Sequence, residues 1–246
     1  MTKTLSHLWR HPIKGIGAEA LDSVTLQAGL PLPLDRAWAV LETGRAHEQG
    51  WQRCGNFIRG AKGPGLMAVT ATVKGETIRL SHPAQPDLEL TPDAPNETEF
   101  FAWLAPIYPE NRPLPAKLIK APDIGMADAN FASVSILNHA SLRALSQKAG
   151  HELDMRRFRG NLWLDGLAPW EEFDLVGKTL AIGDARLNIV ERITRCRATE
   201  ANPDTGTRDT ATLQLLEEGW GHTDFGVYAK VLTNGHIQTG DTVTLQ

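Results

Sequence analysis

The sequence predicts a mainly β protein with a few helices, an α+β chain. Three observations carry that expectation. Short runs of alternating and β-branched residues recur along the chain, punctuated by Gly, Pro and Asp. Only a few segments combine helical periodicity with caps. Strands and helices also fail to alternate as a doubly wound parallel sheet requires, which points to a barrel.

Taken in order, "LSHLWRH", "ALDSVTL" and "RAWAVLE" read as strands, and "GLMAVTATV", "ETIRLSH" and "DLELT" continue them. "PNETEFFAWLAP" predicts a helix with Asn96 as N-cap, Glu99 three residues later and Pro106 as its stop. Pro106, Pro109, Pro113 and Pro115 then make a loop over 106–116. That loop separates two expected domains, 1–116 and 117–246. Beyond it, "SVSILN" reads as a strand and "HASLRALSQKAG" as a helix capped by Asn138 and closed by Gly150. Leu142, Leu145 and Ala149 give this helix one apolar face. The strands "NLWLDG", "KTLAIGD", "RLNIVERITRC" and "GVYAKVL" follow, interrupted by a helix, "DTATLQLLEEG", ending at Gly219. Asn234-Gly235 predicts a tight hairpin into "HIQTGDTVTLQ". "GKTLAIGDARL" and "GHIQTGDTVTL" echo each other and read as two similar hairpins.

Composition excludes several function classes. The 246 residues are 41% hydrophobic and 22% charged, ordinary for a soluble globular protein. A net charge of -4 gives no overall footprint for nucleic acid or an anionic membrane, so any anion site is local. No run approaches the roughly 18 apolar residues of a membrane span, and the start lacks a signal-peptide core. A cytoplasmic location is expected. Two cysteines, Cys54 and Cys196, make no disulfide framework and no C-x-x-C.

Among motifs, "GIGAEA" at residues 15–20 matches a dinucleotide fingerprint, but the β-branched "LDSVTLQAG" that follows leaves no room for the helix this needs. The eight histidines are scattered without metal-ligand spacing, and no G-x-S-x-G is present. Three basic clusters remain: Lys14 in "HPIKG", Arg36 in "PLDRAW", and Arg156, Arg157 and Arg159 in "DMRRFRGN". Each alone reads as solvated charge, although Arg beside Gly at a strand entrance can also approach a phosphate. Cys196 lies between Arg195 and Arg197, with Arg192 upstream, ahead of a Pro-Asp-Thr-Gly turn. Two readings stay open for it, an inert small hydrophobe or a thiolate stabilised by neighbouring cations. Cys54, in "WQRCGNF", reads as structural.

The segments "RFR-x-N", "RC-x-x-T-x-x-N-P-x-T-G" and "FG-x-Y" occur in this order, and the chain resembles the MOSC domain family over them. "HPIKG" with "GLPLPLDRAWAVLE" is similar to the MOSC N-terminal β-barrel domain. The resemblance implies a MOSC-type β-barrel preceded by an N-terminal β-rich subdomain. It also implies a molybdenum cofactor, a pterin carrying a dithiolene and a phosphate. By resemblance, Cys196 ligates molybdenum and is the catalytic residue. Lys14, Arg36, Arg159, Asn161, Thr194 and Arg195 would hold the cofactor, with Tyr228 in a matching segment. The physics agrees, because a phosphate needs Arg and Lys donors and a metal–dithiolene centre accepts a soft thiolate.

Three departures accompany the resemblance. Gly15 stands where a hydroxyl residue is usual after the lysine, so that phosphate contact is lost or passes to backbone N–H. An acid near the substrate is expected in "MADANFAS", supplied by Asp128 or replaced by Asn130. No ferredoxin-like extension follows, so electrons are expected from a separate donor protein of ferredoxin, flavoprotein or cytochrome type. The expected activity is reduction of N-hydroxylated or N-oxygenated small molecules. The alternatives are a persulfide carrier acting through Cys196, which a low-pKa thiolate also suits, and a cofactor storage or delivery protein.

Overall fold

Leu5 and Leu8 stand three residues apart on one strand yet both enter the same core, because a register shift between Leu5 and His7 breaks the two-residue alternation. The computed structural model describes residues 2–246. The chain begins β1 (Thr4–Arg10), β2 (Glu19–Leu21), β3 (Ser23–Leu26) and β4 (Trp38–Glu42). It continues with β5 (Thr70–Lys74), β6 (Thr77–His82), β7 (Gln85–Leu90), α1 (Glu97–Leu104) and β8 (Pro115–Lys120). Then come β9 (Val134–Asn138), α2 (His139–Ala149), β10 (Leu162–Asp165), β11 (Thr179–Ile182) and β12 (Ala185–Thr194). Last are α3 (Thr212–Trp220), β13 (Asp224–Thr233), β14 (Gly235–Gln238) and β15 (Val243–Leu245). The protein is mainly β with a few helices, as its strand patterning predicts.

Eight strands form one curled sheet in the order β15-β11-β12-β13-β9-β10-β1-β2. β3 pairs with β14, β4 with β8, and β5-β6-β7 form a three-stranded sheet. Chain from both sides of residue 116 therefore shares the large sheet, through the β1–β10 pairing. Two main cores follow from this layout. One lies on the large sheet and includes Leu5, Ile136, Leu164, Ile189 and Val227. The other gathers Ile13, Val40, Leu80, Phe100 and Trp103 around the smaller sheets and α1. Among the described residues, no helix is long and apolar enough to cross a membrane.

Helix caps behave as their residues dictate. Asn96 accepts from the Glu99 N–H at 3.4 Å, and its amide donates back to the Glu99 carboxylate at 3.0 Å. Asn138 accepts from the Ala140 N–H at 2.9 Å, and Gly150 ends α2 at φ 77°. α3 differs from expectation, because it runs past Gly219 and stops at Gly221, whose φ is 72°. Gly219 instead makes room for α2: an added Cβ would lie 2.8 Å from Lys148 Cδ.

The Asn234-Gly235 hairpin does not form. Neither residue takes the positive φ a type I′ turn needs, and β14 pairs with β3, more than two hundred residues away in sequence. Gly235 is required for close approach, since a Cβ there would sit 2.3 Å from the Ala185 nitrogen. Of the two echoing segments, only β11–β12 is a hairpin, while β15 returns to pair with β11. β8 was hidden by Pro115 at its start. It tolerates that proline because, among the described residues, β4 is its sole neighbour. "GIGAEA" forms no helix: Gly15 and Gly17 take φ of 75° and 74°, and β2 follows.

Two buried polar arrangements set the position of the site. Residues 11–14 run alongside 36–38, with Arg36 N–H donating to His11 O at 2.7 Å and Lys14 N–H to Trp38 O at 2.7 Å. Asp35 anchors this pairing by accepting from the His11 N–H at 2.7 Å. The His11 imidazole is 1% exposed, with Nδ1 3.4 Å from Asp35 Oδ1. Burial, reinforced by the charge of Arg159, lowers its pKa to about 3 against the pull of Asp35. Asn161, 1% exposed, joins three strands. Its Oδ1 accepts from Ser135 N–H at 3.0 Å and Ser135 Oγ at 2.8 Å, while Nδ2 donates to Trp9 O at 3.1 Å.

Two outcomes are expected. Asn161→Ala leaves those partners unpaired in the core and lowers unfolding free energy by about 2–4 kcal/mol in urea titrations; a loss below about 0.5 kcal/mol contradicts the strand-joining role. His11 is held neutral in the fold, so the unfolded chain binds its proton first as pH falls. Stability is then lost as pH drops from about 6.5 towards about 3, by about 2 kcal/mol between pH 7 and 5. A flat urea-unfolding profile over that range excludes a buried neutral His11.

Candidate functional site

Lys14, Arg36, Arg59, Arg157, Arg159 and Arg195 line one cleft, together with Cys196, Thr194, Tyr228 and Asp128. Local structure explains why each reaches it. Lys14 ends the segment paired along 36–38, so it shares a wall with Arg36. Its ammonium, 5% exposed, donates to Met126 O at 2.8 Å and Asp128 Oδ1 at 2.5 Å. Arg36 and Arg159 both occupy the left-handed region, with φ of 51° and 46°. For residues other than glycine this backbone is strained, and such strain gathers at sites that require one particular geometry. Arg159 closes a 3-10 turn over Met155–Phe158, and Gly160 follows because a Cβ there would meet Leu137 at 2.3 Å.

Arg36 bridges the two halves of the wall, donating to Asp35 and, at 2.8 Å, to the Arg159 carbonyl. Arg195 is clamped by backbone: Nε donates to Phe225 O at 2.8 Å and Nη1 to Phe158 O at 2.8 Å. Arg157 reaches Asp209 at 2.7 Å. Cys196 follows the end of β12 and is exposed at the start of a 3-10 turn over Arg197–Glu200. Thr194 donates its hydroxyl to Asp224 at 2.7 Å. Tyr228 projects from β13, with Phe131 edge-on to its ring at 6.2 Å.

The charge balance in the cleft is uneven. Its lining includes Asp128 as the single carboxylate, and Lys14 already holds that group. Among the described residues, Arg59, Arg159 and Arg195 have no carboxylate within ion-pair distance. Burial, then the neighbouring Arg36, pushes the Arg159 pKa down to about 9. Burial likewise takes Arg195 down to about 10, against the opposing influence of Tyr228 and Cys196. Burial disfavours the Arg36 charge, but Asp35, with Tyr228 and Asp128, together outweigh it and raise its pKa. For Asp128, burial disfavours the charge, yet Lys14, with Arg36 and Arg59, holds its carboxyl below the usual range. Burial and the nearby Asp128 push Tyr228 up to about 12, so its hydroxyl keeps its proton. The cleft thus carries an excess of positive charge, and the Cys196 thiol and a neutral Tyr228 phenol are part of its lining.

The sequence-predicted residues separate into two groups. Lys14, Arg36, Arg159, Thr194, Arg195, Cys196 and Tyr228 converge on the cleft. Asn161 does not: its side chain is spent on Ser135 and Trp9 in the core. The cationic cluster read around Cys196 also changes membership. Arg192 lies over the Phe173 ring at 4.3 Å and Arg197 pairs with Glu200 at 2.9 Å, leaving Arg195 as the one of the three that lines the cleft. Of the two candidates in "MADANFAS", Asp128 lines the cleft and Asn130 does not. Arg59 was missed as a site residue, and Arg157 was read only as a member of the basic "DMRRFRGN" cluster. For Arg157 the "RRFRG" run was a signal, whereas Arg59 sits in an irregular segment without one.

Comparison with known proteins adds an independent line. Residues 125–244 match the MOSC domain, and residues 2–105 match the MOSC N-terminal beta barrel domain. Mitochondrial amidoxime-reducing component 1 of Mus musculus is 24% identical, the match covering 98% of this chain and 82% of that one. The Homo sapiens protein of the same name is 22% identical over the same shares. A molybdenum cofactor sulfurase of Drosophila willistoni is 31% identical over 43% of this chain and 13% of its own. The chain belongs to the MOSC domain family, in the form that carries a MOSC N-terminal beta barrel domain.

Proposed function

We propose that the cleft holds a molybdenum cofactor and that the protein reduces N-hydroxylated or N-oxygenated small molecules with electrons from a separate donor protein. The observation that carries this reading is the cleft with three buried or half-buried arginines lacking carboxylate partners, edged by an exposed thiol. The donor set suits the group. Lys14, Arg36, Arg159 and Arg195 offer charge-assisted donors to a phosphate, and Cys196 offers a soft ligand. Among the described residues, no cluster of three or more His, Cys, Asp or Glu could hold a metal ion. The names of the mouse and human relatives support the reductive chemistry, and that of the sulfurase supports the cofactor.

When bound, the cofactor supplies a two-electron centre able to take an oxygen atom from an N–O bond. The substrate gains two electrons and two protons and releases water. Asp128, kept ionised by Lys14, accepts hydrogen bonds from substrate N–H groups. Tyr228 retains its proton at the phenolic oxygen and donates from there to a substrate or product oxygen. Arg195, fixed by two backbone carbonyls, keeps its guanidinium plane in one orientation. The electron donor enters as a redox protein of ferredoxin, flavoprotein or cytochrome type.

A second reading, a persulfide carrier, is favoured by one observation, the exposure of Cys196. Expression in a host that makes the cofactor separates the two. The expected result is about one molybdenum per chain, as for a single thiolate site, and turnover of an amidoxime with an artificial electron donor. Cys196→Ser is expected to lower turnover by about 100-fold or more, the scale of losing a group acting at the reacting centre. An unloaded protein, or Cys196→Ser protein reducing the amidoxime at the native rate, overturns the proposal. Metal without turnover indicates storage or delivery. Mass gain on Cys196 after exposure to a cysteine desulfurase, without metal, indicates the carrier.

A further inference from the structure

Arg59 is the cleft cation whose donors are least satisfied. Lys14, Arg36 and Arg157 each have a carboxylate partner, and Arg159 and Arg195 donate to backbone carbonyls. Arg59 donates from Nη1 to the sulfur of Cys54, a weak acceptor, while its Nε, like that of Arg157, is buried with no hydrogen-bond partner among the described residues. A buried N–H left unpaired is unfavourable, and the guanidinium gains by turning onto a stronger acceptor.

The backbone beneath this side chain is fixed. Ile58 N–H donates to Val40 O at 3.0 Å, and the Arg59 carbonyl accepts from Lys62 and Gly63, both at 2.9 Å. Gly15, next to Lys14, lies against it so closely that a Cβ at Gly15 would be 2.8 Å from Arg59 Cα. Its φ of 75° adds a second reason for glycine. The glycine brings the Lys14 loop and the Arg59 backbone into contact, placing two cations on adjoining walls of the cleft.

We infer that Arg59 is a further anion-holding residue that grips a phosphate-type oxyanion alongside Lys14, and that Cys54 is its positioning residue, with Sγ holding the guanidinium at the cleft. The inference rests on the cofactor reading and assigns the oxyanion to the phosphate of that cofactor. The thiol acts only as an acceptor here, so serine in its place preserves the contact and valine removes it.

The test uses the full chain made without cofactor, with inorganic phosphate as the probe in calorimetric titrations at low salt. Arg59→Met is expected to weaken phosphate binding about tenfold or more, the loss of one charge-assisted donor set. Cys54→Val is expected to weaken it about threefold and Cys54→Ser to restore it, as suits an indirect role. Thermal midpoints report whether each variant folds, and Arg59→Gln serves if Arg59→Met does not. Native-like phosphate affinity in the Arg59 variant, with weakened affinity in Lys14→Met, overturns the role of Arg59 and leaves the cleft reading intact. Absence of phosphate binding in the native chain overturns both. Cofactor-loaded protein is expected to bind no added phosphate at this site. Undiminished binding there overturns the assignment to the cofactor.

Discussion

Arg36 donates to Asp35 on one side and to the Arg159 carbonyl on the other, and this bridge joins the N-terminal segment to the turn before β10. The cleft depends on it. Without the bridge, two guanidinium groups forced into one partly desolvated space would repel each other apart. Asp35 bears the load because it is itself oriented by the His11 N–H and buried to 4% exposure. The arrangement tolerates two residues in the left-handed region, at an order of 1–3 kcal/mol each. The surrounding pairing of 11–14 with 36–38 and the three-strand junction at Asn161 must over-determine that geometry for it to persist.

Counter-charges are distributed selectively around this bridge. Asp35 and Asp128 are assigned to Arg36 and Lys14, and Asp209 to Arg157. Among the described residues, the hydrogen-bond partners of the remaining cations, Arg59, Arg159 and Arg195, are backbone carbonyls or a thiol. A carbonyl dipole orients a guanidinium but does not neutralise it, so a positive potential persists in the cavity. A protein with a net charge of -4 has no lack of carboxylates, which makes their near-absence from this lining a local property.

How much of this was legible in the sequence depended on whether the signal was local. Asn138 and Gly150 specify both ends of α2 within a dozen residues, and those caps formed as read. The cation cluster around Cys196 was legible only in part, since register shifts between Ile189 and Glu191 and between Arg192 and Thr194 spoil strand alternation. Arg192 accordingly lies over Phe173, and Arg197 turns back to Glu200. The β3–β14 pairing was invisible because Asn-Gly is a short-range signal, while the competing contact crosses the fold. Lys14 and Arg36 stood out as basic clusters and took their role from resemblance, Tyr228 came from resemblance alone, and Arg59 from neither. Its segment has only short 3-10 turns, so its place in the cleft follows from Gly15 packing on its backbone.

The distribution of charge also weighs the two functional readings against each other. A carrier thiol must meet the sulfur of a donor protein, and exposure at a strand end suffices for that. One adjacent cation is enough to favour the thiolate. It has no use for Lys14, Arg59 and Arg159 on walls supplied by separate chain segments, or for left-handed backbone at Arg36 and Arg159. A ligand with a metal at one end and a phosphate at the other uses both features together, the thiol at the first and the convergent cations at the second. The unpaired arginines then represent preorganisation, an unfavourable charge arrangement maintained in the fold and relieved when the anion arrives.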